Sequence, residues 1–248
     1  MANVLTGNLQ PIPILVYHQI DQAPPKGSPF RSLYVAPAAF ARQMLLLKLL
    51  GYTGLSMTGL QPYLSGERTG KVVGITFDDG YLNNLKHALP VLMRYGFSST
   101  CYAVSNLIGQ TNVWDEGIGI AQTALMNKSQ IQQWMENGQE IGSHTSNHVN
   151  MPEINDETCH LEIKHGKTDL ETLLMAPVQN FCYPYGRYEP KHCDMVREQG
   201  FKTATTTRRS RCHNGTHMYE IPRIPVVRST TLPQFWLKFA SSYEDRRK

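Results

Sequence analysis

The chain has 248 residues, 41% apolar and 18% charged, which excludes a disordered or fibrous polymer and fits one large folded domain or two small ones. Its formal charge of +4 is small and its basic residues are scattered, so nucleic acid is not an expected partner. No run of about 18 apolar residues occurs, which excludes a membrane-spanning helix.

The opening stretch "MANVLTGNLQPIPILVYH" lacks the basic start and long apolar core of a secretory signal. This favours the cytoplasm, or a chain whose leader has been removed. The short run "PILVYH" reads as a buried strand ending at His18. "PAAFARQMLLLKLLGY" carries apolar residues at helical spacing and closes on Gly51. "KVVGITF" is the next strand, followed by a helical "LNNLKHALPVLMRYG" that again stops at glycine. "SSTCYAV" is a strand of small and β-branched residues. Residues 105–128 show little pattern and are read as a functional loop.

In "SQIQQWMENG", Ser129 with Gln132 three residues on predicts a capping box at the start of a short helix. "QEIGSH" is a short strand and "NDETCHLEIKHGKTDLETLLM" a long amphipathic helix. "VQNFCYP", "FKTATTT" and "YEIPRIPV" are further strand candidates, with the helix "EPKHCDMVREQG" between the first two. "TLPQFWLKFASSYED" fits a closing helix, and the tail "YEDRRK" is expected to be solvated. Strands separated by helices imply parallel βαβ units, hence an α/β barrel or a doubly wound sheet. With no linker, repeat or low-complexity segment in view, residues 1–248 are read as a single domain. The five cysteines, Cys101, Cys159, Cys182, Cys193 and Cys212, are odd in number and form no C-x-x-C pair, so reduced, buried thiols are expected.

In such folds the active site gathers at the carboxyl ends of the parallel strands. His18, Asp78 with Asp79, His144 with His148, and Tyr185 all fall there. His144 and His148 in "SHTSNH" are four apart, so both rings can reach one point. Imidazoles suit zinc and its neighbours, and catalytic zinc takes three protein ligands. A strand-end carboxylate would complete the set. The pair Asp78–Asp79 places two like charges side by side, which is costly unless a cation or proton intervenes. One carboxylate bound to metal and the other acting as general base would account for both; capping of the following helix is the structural alternative.

Taken together, "TFDDG" (residues 76–80), "SHTSNH" (143–148) and "YPYG" (183–186) resemble, in order and spacing, the motifs of the polysaccharide deacetylases. This is the family of the NodB homology domain, also called carbohydrate esterase family 4, and the similarity runs from about Ile12 to Val227. The resemblance implies a distorted, incomplete (β/α) barrel of parallel strands with a divalent metal at its carboxyl face. It implies hydrolytic removal of acetyl from N-acetylated sugars, or from O-acetylated ones in some members. By matched position, Asp78 would be the general base and Asp79, His144 and His148 the ligands of a divalent ion, Zn2+ first, with Co2+ or Ni2+ as alternatives. Tyr185 would offer its backbone N–H to the oxyanion.

Two departures stand out. The family pattern has an arginine two residues before the proline of the third motif, where this chain has Cys182; Arg223 in "IPRIPV" is the candidate replacement, against a solvated strand-edge charge. The family's late leucine-x-histidine motif is missing, and His213 and His217 sit in a loop as surface residues. The N-terminal "ILVYH" instead resembles the subgroup acting on poly-β-1,6-N-acetylglucosamine, in which His18 would be the general acid. Of the aromatic residues near the motifs, Tyr81, Trp114, Tyr183 and Tyr185, Trp114 is preferred with Asp115 as the substrate-side pair, and Pro184 and Arg223 complete the substrate-side candidates. The expected partner is an acetylated carbohydrate. An O-acetyl esterase on a xylan-like glycan and a non-catalytic, metal-containing glycan-binding module are the rival readings.

Overall fold

In "ILVY" and "VVGITF" every side chain is buried, and such continuous apolar runs belong to parallel strands covered on both faces. The computed structural model describes residues 10–247; residues 1–9 of the stretch read for a leader, and Lys248 of the tail, lie outside them. The first half runs β1 (Ile14–Tyr17), β2 (Gln19–Ile20), β3 (Tyr34–Val35), α1 (Pro37–Leu49), β4 (Thr53–Leu55), α2 (Met57–Leu64), β5 (Val72–Phe77), α3 (Leu89–Tyr95) and β6 (Thr100–Ala103). It continues α4 (Lys128–Glu136), β7 (Glu140–Ser143), α5 (Asp156–Leu174), β8 (Asn180–Cys182), α6 (Pro190–Glu198), β9 (Thr203–Thr205), β10 (Ile224–Pro225) and α7 (Leu232–Ala240). None of the described helices is long and apolar enough to cross a membrane.

The strands pair in parallel in the order β10-β1-β5-β6-β7-β8-β9, with β4 also against β5. Registers such as Leu15↔Ile75, Phe77↔Cys101 and Cys182↔Thr205 bring the carboxyl ends to one rim. The sheet curls until the two edges approach, where a single parallel bridge, Thr205↔Ile221, joins them. The result is the distorted, incomplete (β/α) barrel that the family resemblance implied. Its core is aromatic near β1 and β5: Phe77 meets Tyr17, Phe40 and Trp134 at centroid distances of 5.7, 5.9 and 5.7 Å. All five cysteines are free and buried.

Several local expectations shift. The α4 capping box is built by Asn127 and Gln130, two residues before the predicted pair, because the asparagine carboxamide accepts the N3 amide at 3.0 Å. β4 and α2 escape the sequence reading since "TGL" is too short to show alternation. The long candidate "YEIPRIPV" shrinks to Ile224–Pro225, as prolines 222 and 225 have no N–H for a ladder. The tail is not wholly solvated: Glu244 is fully buried between Arg209 and Lys238, at 2.8 and 2.5 Å.

Next to it Arg211 donates to Asp245 Oδ2 from Nε and Nη2, at 3.1 and 2.7 Å, and to Oδ1 from its backbone N–H at 2.9 Å. Burial alone would push the Asp245 carboxyl up; hydrogen bonds from Arg211 and its charge hold it below its usual value. A carboxyl depressed on folding contributes stability above its unfolded pKa of about 3.9 and loses it as pH falls through the folded value. Asp245→Asn is therefore expected to cost about 1–2 kcal/mol at pH 7. In urea titrations the gap from wild type should close below about pH 4.

Candidate active site

The common strand direction turns residues distant in sequence into neighbours. His18 follows β1, Asp78 and Asp79 follow β5, His144 follows β7, and Tyr183–Gly186 follows β8. A cleft at that rim is lined by His18, Asp78, Asp79, His144, His148 and Tyr185, with Trp114 and Asp115 from the loop after β6. Phe30, Tyr34 and Ile120 form its apolar margin.

Asp79 Oδ1 lies 3.4 Å from His144 Nε2 and 3.3 Å from His148 Nε2. One ligand atom from each of the three falls within 4.8 Å of the others, which is the geometry of a three-point cation site. All three side chains are buried. Burial would push the Asp79 carboxyl up, yet hydrogen bonds from both imidazoles hold it well below the usual range. Burial pulls His148 down and leaves it neutral, whereas Cys182 and Asp79 outweigh burial at His144 and push it up. The His144 ring is aimed by its Nδ1, 2.7 Å from the Cys182 carbonyl. That carbonyl engages Nδ1, so Nε2, which meets Asp79 here, is the nitrogen that would face a metal.

The backbone bends sharply to do this. Asp79, Thr145, His148 and Tyr185 all have left-handed φ, at 74°, 64°, 58° and 59°. Such conformations cost on the order of 1 kcal/mol or more each for residues with a Cβ, and persist only where the surroundings enforce them. Around His148 the enforcement is visible: its N–H donates to Thr145 Oγ1 at 3.0 Å. Glu162 of α5 accepts the Ser146 and Asn147 amides at 3.0 and 2.9 Å. The third motif needs Gly186 (φ +66°), since a Cβ there would collide with the Thr207 side chain.

Asp78 borders the three-point set, its carboxylate within 4.8 Å of a His144 nitrogen, but is held by a different partner. Arg223, fully buried, donates to both its oxygens at 2.6 and 2.8 Å, and to Thr76 Oγ1 and Cys182 Sγ at 3.1 Å each. The solvated reading of Arg223 is thus corrected: the guanidinium fills the place that Cys182 leaves open. Burial would raise the Asp78 carboxyl; the Arg223 charge and hydrogen bonds overcome it and keep the group low and ionised. His18 Nε2 stands 4.0 Å from Asp78 Oδ2, with its side chain 25% exposed to the cleft. Asn84 clamps the backbone on either side of this histidine, donating to His18 O at 2.8 Å and accepting from Ile20 N at 3.1 Å.

The substrate-side candidates divide. Trp114 and Asp115 line the cleft, and Asp115 is raised by burial against a hydrogen bond from Asn112. Pro184 and Arg223 are buried and do not line it. Tyr81 lines the floor, while Tyr183 is core, stacked on Tyr188 at 4.6 Å. Tyr185 is 48% exposed at the rim, and among the described residues its N–H has no acceptor. His213 and His217 are surface residues, as expected, paired with Asp245 and Glu220.

Sequence reasoning missed Glu162 and Asn84. Glu162 did leave a signal: on α5 it shares the buried face with Cys159, Ile163 and Gly166, and a carboxylate on an apolar helix face needs a partner. Truncation by Glu162→Ala strands two amides beneath the His144–His148 turn. It should cost about 2–3 kcal/mol of stability in urea denaturation.

The family model for "Polysaccharide deacetylase" matches residues 65–204. YxkH of Bacillus subtilis (strain 168) is 26% identical over 217 residues, covering 87% of this chain and 71% of that protein. Among solved structures, a polysaccharide deacetylase from Bacillus cereus is 27% identical with a TM-score of 0.78, over 93% of this chain and 69% of that one. The Streptococcus pyogenes deacetylase PplD, in complex with acetate, superposes with a TM-score of 0.81 at 24% identity, over 93% and 98% of the two chains, a likeness of fold. With a family model spanning more than half its length, and the family's motifs converging on one cleft, the chain belongs to the polysaccharide deacetylase family.

Proposed function

We propose that this protein is a metal-dependent hydrolase that removes acetyl groups from an N-acetylated sugar, oligosaccharide or polysaccharide and releases acetate. The observation that carries the reading is the buried Asp79–His144–His148 set beside a second carboxylate, Asp78, held separately by Arg223. The residues fit a divalent ion. Two neutral-capable imidazoles and a carboxylate converge on one point, and one imidazole is aimed from behind by a backbone carbonyl. The donor set suits Zn2+, with Co2+ or Ni2+ as alternatives. When bound, the ion supplies Lewis acidity, lowering the pKa of water at the site and polarising the acetyl carbonyl.

The remaining work belongs to the chain. Arg223 occupies one lone pair on each Asp78 oxygen and leaves the others free, so Asp78 can accept the proton of the attacking water. The unpartnered N–H of Tyr185 supports a donor to the oxyanion of the tetrahedral intermediate, worth about 3–4 kcal/mol in comparable sites. His18, exposed to the cleft and close to Asp78, delivers a proton to the leaving amine. Cys182, the departure that would favour a mere binding module, is offset by the Arg223 guanidinium.

Two variants separate metal holding from proton transfer. Asp79→Asn should lower both bound zinc, read by elemental analysis, and acetate release from an N-acetylated oligosaccharide. Asp78→Asn should keep the zinc and lose about 10²–10⁴-fold in rate; equal rates for both variants and wild type would remove the mechanism. Arg223→Met leaves Asp78 buried without its cation, which raises the carboxyl pKa. Because the base must be ionised, the acidic limb of the pH–rate profile should then move to higher pH.

A further inference from the structure

The two histidines of the cation site are held by different means. A ligating imidazole must keep its lone pair in line with the ion, and rotation about Cβ–Cγ, a broad torsion, swings it away. At His144 that rotation is stopped by the Nδ1 contact to the Cys182 carbonyl at 2.7 Å. His148 has no such tether: its Nδ1 is buried and without a hydrogen-bond partner among the described residues, although its Nε2 faces Asp79 at 3.3 Å. What packs on it is aromatic. The Trp114 indole lies nearly parallel to the imidazole, 4.3 Å between centroids and 20° between planes. Tyr185 abuts the same ring edge-on at 4.6 Å and 76°.

We propose that Trp114 is the positioning residue for His148, its indole face replacing the outer hydrogen bond that usually aims a metal-ligating imidazole. The inference rests on the metal-site reading given above. The indole is itself fixed in advance. It belongs to a helical turn, Val113–Asp115, anchored by Asn112, which is fully buried. The Asn112 carboxamide accepts from Thr123 N at 2.6 Å and donates to Asp115 Oδ2 at 2.8 Å, binding the two limbs of the loop together. Trp114 also packs on a satellite cluster of Tyr81, Val104, Leu107 and Leu125. A flat surface so held leaves the imidazole one plane in which to lie. Offset stacking of this kind contributes beyond area burial alone. The left-handed His148 backbone makes the demand sharper, because a strained main chain leaves the ring direction to its neighbours.

The test is Zn2+ affinity, measured by competition with a chromophoric chelator on the metal-free protein and its variants. Trp114→Ala should weaken Zn2+ binding by about tenfold to hundredfold, the usual effect of losing an outer partner of a ligand. Trp114→Phe keeps a flat face and should stay within a few-fold of wild type. The metal-free Trp114→Ala protein loses the indole's packing and its urea midpoint should fall, yet without urea its far-UV circular dichroism should match that of wild type, which separates aiming from folding. Wild-type affinity in Trp114→Ala, with Asp79→Asn still defective, overturns the proposal and leaves the metal site standing. Failure of Trp114→Phe to restore affinity also overturns it. Equal Zn2+ binding by wild type and Asp79→Asn removes the metal-site reading itself, and the proposal with it.

Discussion

The buried pair of Arg223 and Asp78 ties the two ends of the barrel to the chemistry in its mouth. A guanidinium fully out of water is tolerable only because all five N–H donors are used: two on the carboxylate, one each on Thr76, Cys182 and the Thr206 carbonyl. These partners come from β5, the end of β8 and the strand end after β9, so the side chain lies across the seam where the two edges of the sheet meet. Well-paired buried charges add little net stability, but removing one partner costs about 3–5 kcal/mol. Fold and site are therefore coupled here: the pair that fixes the barrel seam is also the one that keeps Asp78 ionised.

Around that pin the mouth of the barrel divides its two adjacent carboxylates by environment. Asp78 turns toward the guanidinium and Asp79, on a left-handed backbone, toward the imidazoles. Two like charges on neighbouring residues become affordable because each faces its own positive partner or cation. The same device recurs at Thr145, His148 and Tyr185, where strained residues are held by Glu162, the threonine hydroxyl and the snug fit at Gly186. Strain is concentrated at the rim, while the strands below it remain regular.

The legibility of these features followed their range in sequence. Strand ends at Tyr17, Phe77, Ser143 and Cys182, and helix stops at Gly51 and Gly96, rest on local backbone chemistry and could be read along the chain. The capping box slipped by two residues because Asn127 and Ser129 are both good caps, and only the direction of the first helical turn chooses between them. The tail misled for a related reason. Glu244 looks like any terminal charge until α7 brings Lys238 beside it and the loop after β9 brings Arg209.

Residue type and spacing, then, were enough to read the parallel α/β architecture and the carboxylate and imidazole pairs, because those patterns are imposed by periodicity and by chemistry within a few residues; the family came from the resemblance of three motifs in order. They left open whether Arg223 is a surface charge or the partner of Asp78, which face Trp114 offers, and what supports the His144–His148 turn. Those answers depend on contacts between residues up to 147 positions apart. Strand register and barrel curvature create such contacts, and neither is written in any local stretch of the chain.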